Sequence, residues 1–162
     1  VKYLLEAVKR LRLKDAELVL VGKFTGARAA FAPYEDVFRH VAHVPFHEIH
    51  SLYADADIFV YPSLHEGSAF ATYEALASGL PVIATPNTGS VVRDGLDGFI
   101  VAPRDVEALM ARIELLYREP GRRAVMAASA RRRAEEFTWD AYRRRLADFF
   151  DGFALSASSL SK

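Results

Sequence analysis

Cysteine is absent from the 162 residues, so disulfides and thiol chemistry are excluded. No apolar run approaches the roughly 20 residues that span a bilayer, and no signal peptide is visible. Neither sign of charge is in excess: 21 Lys and Arg stand against 21 Asp and Glu, so no general attraction to nucleic acid or membrane follows. No internal repeat and no linker interrupts the chain. What is present is ordinary for a soluble globular protein, with 51% hydrophobic and 26% charged residues in a length that suits one domain with a sizeable core. A soluble, cytoplasmic protein is the expectation.

The most informative stretch is residues 61–85, YPSLHEGSAFATYEALASGLPVIAT. An apolar run at 57–61 predicts a buried strand. Residues 62–68 form a loop, and 69–78 a helix of Ala, Leu, Glu and Tyr with no internal Gly or Pro. Gly79 stands where a left-handed cap belongs, and Pro81 blocks continuation. Residues 81–84 give the next strand. Strand, loop, helix and strand make one βαβ unit, which predicts a parallel sheet.

Ligands of such sheets bind beyond the carboxyl ends of the strands. There the helix start offers free N–H groups and a positive dipole end, a combination suited to phosphate. Gly67, Ser68 and Ala69 have little bulk, so a ligand can approach the backbone. Glu74 shares a helix face with Phe70 and lies roughly 7 Å along the axis from the helix start, at 1.5 Å rise per residue. That is the reach from a diphosphate to a ribose, and a carboxylate there accepts hydrogen bonds from a diol. Read alone, Glu66 also fits as a complement to the helix dipole, and Glu74 as a solvated surface residue.

The spacing of Glu66 and Glu74, seven residues between them, resembles the signature P-S-x-x-E-G-F-G-L-x-x-x-E-A-M-A-x-G-x-P-V-I-A-S of the retaining GT-B glycosyltransferases of family 4, or group 1. The resemblance continues along nearly the whole chain and matches their C-terminal, donor-binding domain. It implies that Gly67, Ser68, Ala69 and Phe70 present N–H groups to the diphosphate of a nucleotide-sugar. Glu74 would hold the ribose, and Glu66, the catalytic residue, the hydroxyls of the donor sugar. Ala69 replaces the family's second glycine and adds a methyl where the backbone meets phosphate.

Upstream, residues 1–12 predict an amphipathic helix through Leu4, Leu5, Val8 and Leu11. In the family a strand and a Gly-Arg loop with a downstream Lys precede this helix. The resemblance therefore implies that a first strand, two diphosphate-binding cations and an N-terminal acceptor domain lie outside this chain, which would be inactive alone. Residues 17–21 form a strand ending at Gly22. Lys23, in the Gly22 to Gly26 loop, reaches a phosphate on one reading and belongs to a plain turn on the other; no P-loop spacing follows. Residues 27–40 read as a mostly helical connection broken by Pro33, 41–44 as a strand, and 46–54 as a helix. The resemblance places Val44 and Pro45 against the nucleotide base. His43, His47 and His50 lack metal-site spacing, and no metal or cofactor is expected.

The loop at 86–90 shapes the pocket. Residues 91–103 resemble the family's last turn and strand, with the glycines as turn residues. Asp105 caps a helix running to 117, with Val106, Leu109, Ile113 and Leu116 on one face. Helices follow at 121–137 and 139–153, and 154–162 is a flexible tail. The arginine runs at 131–133 and 143–145 read as a solvated face, or as a contact with anionic lipid headgroups at the inner membrane face if the acceptor is lipid-linked.

The expected fold is α/β: a Rossmann-like, doubly wound parallel sheet with helices on both faces, one domain over residues 1–153 forming half of a GT-B fold. The expected function is binding of a nucleotide-diphosphate sugar for transfer, with retention, to a polysaccharide or lipid-linked glycan. No nucleic acid is expected as partner. A GT-B nucleotide-sugar epimerase and a non-catalytic binding or assembly module on the same fold remain open alternatives.

Overall fold

The computed structural model describes residues 1–23 and 28–159, with side chains up to 152. Five strands, β1 (Leu18–Val21), β2 (Phe38–Val41), β3 (Phe59–Tyr61), β4 (Val82–Ala84) and β5 (Gly98–Ile100), alternate with helices α1 (Lys2–Leu11), α2 (Ile49–Ala54), α3 (Phe70–Ala77), α4 (Val106–Arg118), α5 (Pro120–Glu135) and α6 (Trp139–Ser159). Every strand pairing is parallel, as the alternation of element types predicts.

β4 is buried on both faces because it is apolar at every position and its side chains alternate. Ile83 points into a cluster with Leu4 and Ala7 of α1 and Leu109, Ile113 and Leu116 of α4. Val82 and Ala84 point the other way, to Ala75 and Leu76 of α3 and Ala130 of α5. Helices therefore cover both faces, and the doubly wound expectation holds.

The local signals that depend on near neighbours are realised. Asp105 accepts a hydrogen bond from the Ala108 N–H at 2.9 Å, capping α4. Gly79 closes α3 with φ of 74°, a left-handed conformation that suits glycine. Among the described residues no helix is long and apolar enough to cross a membrane.

Five expectations are corrected. The strand expected at 41–44 lies at Phe38–Val41, because it pairs residue for residue with Leu18–Val21. Of the connection expected at 27–40, residue 27 lies outside the described residues and 28–40 are not mostly α-helical: a 3-10 turn over Arg28–Tyr34 contains Pro33 and gives way to β2. Helix α2 starts at Ile49 rather than 46, since a turn closed by the Glu48 N–H on the Pro45 carbonyl comes first. Gly98 is no turn residue; it opens β5, paired with Val82, while Gly95 makes the turn. Helix α6 continues to Ser159, past the end expected at 153; residues 160–162 of the expected tail lie outside the described residues.

The ladder is divided. β1 pairs with β2, β3 with β4, and β4 with β5, but among the described residues no pairing joins β1 to β3. The apolar cluster nevertheless runs across the division, since Leu18 of β1 packs with Ile58 and Val60 against the same core.

Candidate functional site

Because β3 and β4 are parallel neighbours, the loops after them leave the same edge side by side. The loop after β3 carries Glu66, Gly67 and Ser68 into the start of α3. The loop after β4, residues 85–89, binds it along its length. The Thr85 hydroxyl donates to the Ser63 carbonyl at 2.5 Å, and the Asn87 amide to that of Leu64 at 2.8 Å. In return the Glu66 N–H donates to the Asn87 carbonyl at 3.0 Å and the Ala69 N–H to that of Thr88 at 3.1 Å. Gly89, with φ of 64°, lies so close that a Cβ there would sit 2.3 Å from the Gly67 carbonyl oxygen. Five contacts fix one short loop, the rigidity that a preorganised site needs.

This binding removes one residue from the expected donor set. The Ala69 N–H is spent on Thr88, so it does not face a ligand. The N–H groups of Gly67, Ser68 and Phe70 donate to no group among the described residues, and Gly67, Ser68 and Phe70 are exposed. They sit at the start of α3, where orphan donors and the helix dipole favour an anion.

Each glutamate is held by a tyrosine that sequence spacing did not single out. The Tyr53 hydroxyl of α2 donates to Glu74 Oε2 at 2.9 Å, and that of Tyr61, ending β3, to Glu66 Oε1 at 3.1 Å. Both phenols are pushed above the ordinary tyrosine range, first by burial and then by the adjacent carboxylate. Protonated at neutral pH as any tyrosine is, both act there as donors, and the shift carries that state to higher pH.

The remaining expected residues lie elsewhere. Val44 and Pro45 follow β2 and line a cleft of about 310 Å³ with Arg39, Val41, His43, Glu48, Ser51 and Leu52. Lys23 is exposed beyond β1; Phe24, Thr25 and Gly26, the rest of its loop, lie outside the described residues. No hydrogen bond or ion pair among the described residues joins Lys23 to the Glu66 loop. His47 precedes α2 and sits 3.3 Å from Glu48, so it does not share a helix with His50. Of the six arginines in the two runs, Arg131 and Arg133 donate to the Ala77 and Val91 carbonyls, Arg145 to that of Glu136, and Arg143 pairs with Asp140. Most of the basic surface is thus engaged within the fold.

Known proteins bear on this geometry. The family described as glycosyl transferases group 1 matches residues 1–119. The putative glycosyltransferase EpsD of Bacillus subtilis is 32% identical over 161 residues, covering 94% of this chain and 42% of its own. The MMP α-(1→4)-mannosyltransferase of Mycolicibacterium hassiacum is 34% identical over 150 residues, covering 86% and 36%. The crystal structure of HepE from Anabaena, in complex with UDP-glucose, superimposes with a TM-score of 0.79 at 19% identity over 93% of this chain and 44% of that one; it shows the shared fold. The chain thus spans about two fifths of the length of the curated relatives it matches. With the matched region taking in both glutamates and the loops that hold them, the chain belongs to the glycosyl transferases group 1 family.

Proposed function

We propose that this chain is the donor-binding part of a glycosyltransferase, holding a nucleotide-diphosphate sugar for transfer with retention to a glycan or lipid-linked acceptor. The observation that carries the reading is the constrained 63–69 loop, which leaves three N–H groups unpaired at the start of α3 with a carboxylate on either side. The diphosphate lies against Gly67, Ser68 and Phe70. Glu74, one helical turn beyond Phe70, takes the ribose hydroxyls, and Glu66 those of the sugar. Negative charge grows on the diphosphate as the glycosyl bond breaks. Fixed N–H dipoles aimed at it stabilise that charge without having to reorganise, so the reading calls for no metal. Lys23 adds a cation from the β1 edge, and the cleft at Val44 and Pro45 takes the base. HepE, crystallised with UDP-glucose, supports a nucleotide-sugar as ligand.

Calorimetric titration with UDP, GDP and ADP tests this. One nucleotide is expected to bind, and Glu74→Ala to weaken it about tenfold, the scale of a hydrogen bond to a charged group. A folded chain that binds none of the three leaves only the non-catalytic module.

The divided ladder supports a second part of the reading. Set side by side as β2, β1, gap, β3, β4, β5, the two sheets make the doubly wound order 3-2-1-4-5-6 with its first strand removed, an arrangement supported by Leu18 of β1 packing with Ile58 and Val60 against one core. We propose that residues preceding this segment in the full polypeptide supply that strand, between β1 and β3. Extending the chain upstream by one strand is then expected to raise the melting temperature by several degrees. A polar extension of equal length is the control, and equal melting of the two counts against the strand.

A further inference from the structure

Tyr53, Phe59 and Tyr61 come from α2 and β3, and their rings form a row. Tyr53 and Phe59 have centroids 5.8 Å apart, and Phe59 stacks on Tyr61 at 6.0 Å with planes inclined by 8°. A glutamate is bonded at each end of the row, Glu74 to Tyr53 and Glu66 to Tyr61. The two carboxylates reach the site from different backbone segments, one from a loop and one from the second turn of α3. A single aromatic row, anchored in the core through Phe59 and Tyr53, thus fixes both.

From this geometry we infer that Tyr53 is a positioning residue for Glu74: it holds one carboxylate oxygen so that the other is aimed at the ribose diol of a nucleoside diphosphate. The inference rests on the donor-site reading above. A glutamate on a helix surface has several rotamers, and a ligand that must select one is bound more weakly. A carboxylate has about four acceptor positions. The phenol occupies one, on Oε2, and no other hydrogen bond to the Glu74 carboxylate is made among the described residues. The free positions suit two vicinal hydroxyls. A tyrosine phenol is protonated across the neutral range, so Tyr53 remains a donor there, and burial moves its titration further up. Tyr53 touches no ligand on this account; it acts only through Glu74.

The test compares a nucleoside diphosphate with its 2′,3′-dideoxy analogue, using UDP, GDP or ADP according to which binds. The unaltered chain is expected to prefer the ribose form by about tenfold or more, the scale of hydrogen bonds to a charged acceptor. Tyr53→Phe keeps the ring against Phe59 and removes only the donor. It is expected to cut the preference to about threefold or less, with affinity for the dideoxy form and the melting temperature unchanged. In a Glu74→Ala background, Tyr53→Phe is expected to add no further loss, because the two act as a unit. A merely structural tyrosine would lower both affinities together, and that result overturns the inference. So does a preference that survives Tyr53→Phe but disappears in Glu74→Ala, which leaves the donor site intact. If the unaltered chain shows no preference for the ribose form, the donor-site reading and the inference fall together.

Discussion

Gly98→Ala is expected to cost roughly 3 kcal/mol or more of folding stability, at the upper end for overpacking a core. Gly98 faces Val82 across the ladder, and a Cβ added there would lie 1.9 Å from the Val82 carbonyl oxygen and 2.6 Å from its nitrogen. Both neighbours are backbone, so no side chain can swing aside. The only relief is separation of β5 from β4, and that strand bears Phe99, part of the core shared with α1 and α4. Gly95 is the control. Its φ of 76° strains an alanine, but open space surrounds the site, so the expected cost there is about 1 kcal/mol. Urea denaturation measures both. A midpoint for Gly98→Ala no lower than that for Gly95→Ala would show that the close approach relaxes freely.

Asp97→Ala is expected to cost about 2–4 kcal/mol, somewhat less than the loss of one partner from a fully buried pair because Arg93 remains partly solvated. Asp97 is completely buried, whereas the Arg93 side chain is 40% exposed. The carboxylate accepts bonds from Arg93 Nε and Nη2, both at 2.8 Å, from the Arg93 N–H at 3.2 Å and from the Ser129 hydroxyl at 2.7 Å. It therefore ties the 93–97 turn to α5. Burial is the largest single influence on its proton affinity and raises it, but these bonds together outweigh burial and hold the carboxyl below the usual range. A depressed folded value stabilises the protein above the unfolded pKa of about 3.9, and that stability is lost as pH falls through the folded value. Asp97→Asn, which cannot ionise, is therefore expected to show its largest deficit near neutral pH and a smaller one below about pH 4. A deficit that stays constant from pH 7 to pH 3 would remove the charge from the explanation.

The signature residues were legible because their signals are short. Asp105 before an apolar period, Gly79 after one and Pro81 beyond it act within a turn or two of the chain, and each does what its chemistry predicts. Where two frames competed, the sequence misled. In residues 38–44, FRHVAHV, apolar residues recur in a way that fits a strand over either end, and Pro45 made the later one look bounded. The facing strand decided, because a parallel pair takes its register from its partner, here Leu18–Val21. The start of α2 was displaced by a turn closed between Pro45 and Glu48. The site shows the division most sharply, since its glutamates were readable and their supports were not. Tyr53 and Glu74 lie 21 residues apart, and Asn87 and Leu64 lie 23 apart; no local pattern reports such pairs.

The sequence by itself determined the family, the alternation of strands and helices, and the two carboxylates with seven residues between them. All of these depend on near neighbours, through capping, period and backbone freedom. Only the tertiary structure decided which N–H groups stay free for a ligand. Parallel pairing of β3 with β4 brings the 85–89 loop onto the 63–69 loop, and the Thr88 carbonyl then takes the Ala69 donor while Gly67, Ser68 and Phe70 keep theirs. Every N–H starts equal in the chain, and which one is left over depends on what folding brings within hydrogen-bond distance of it.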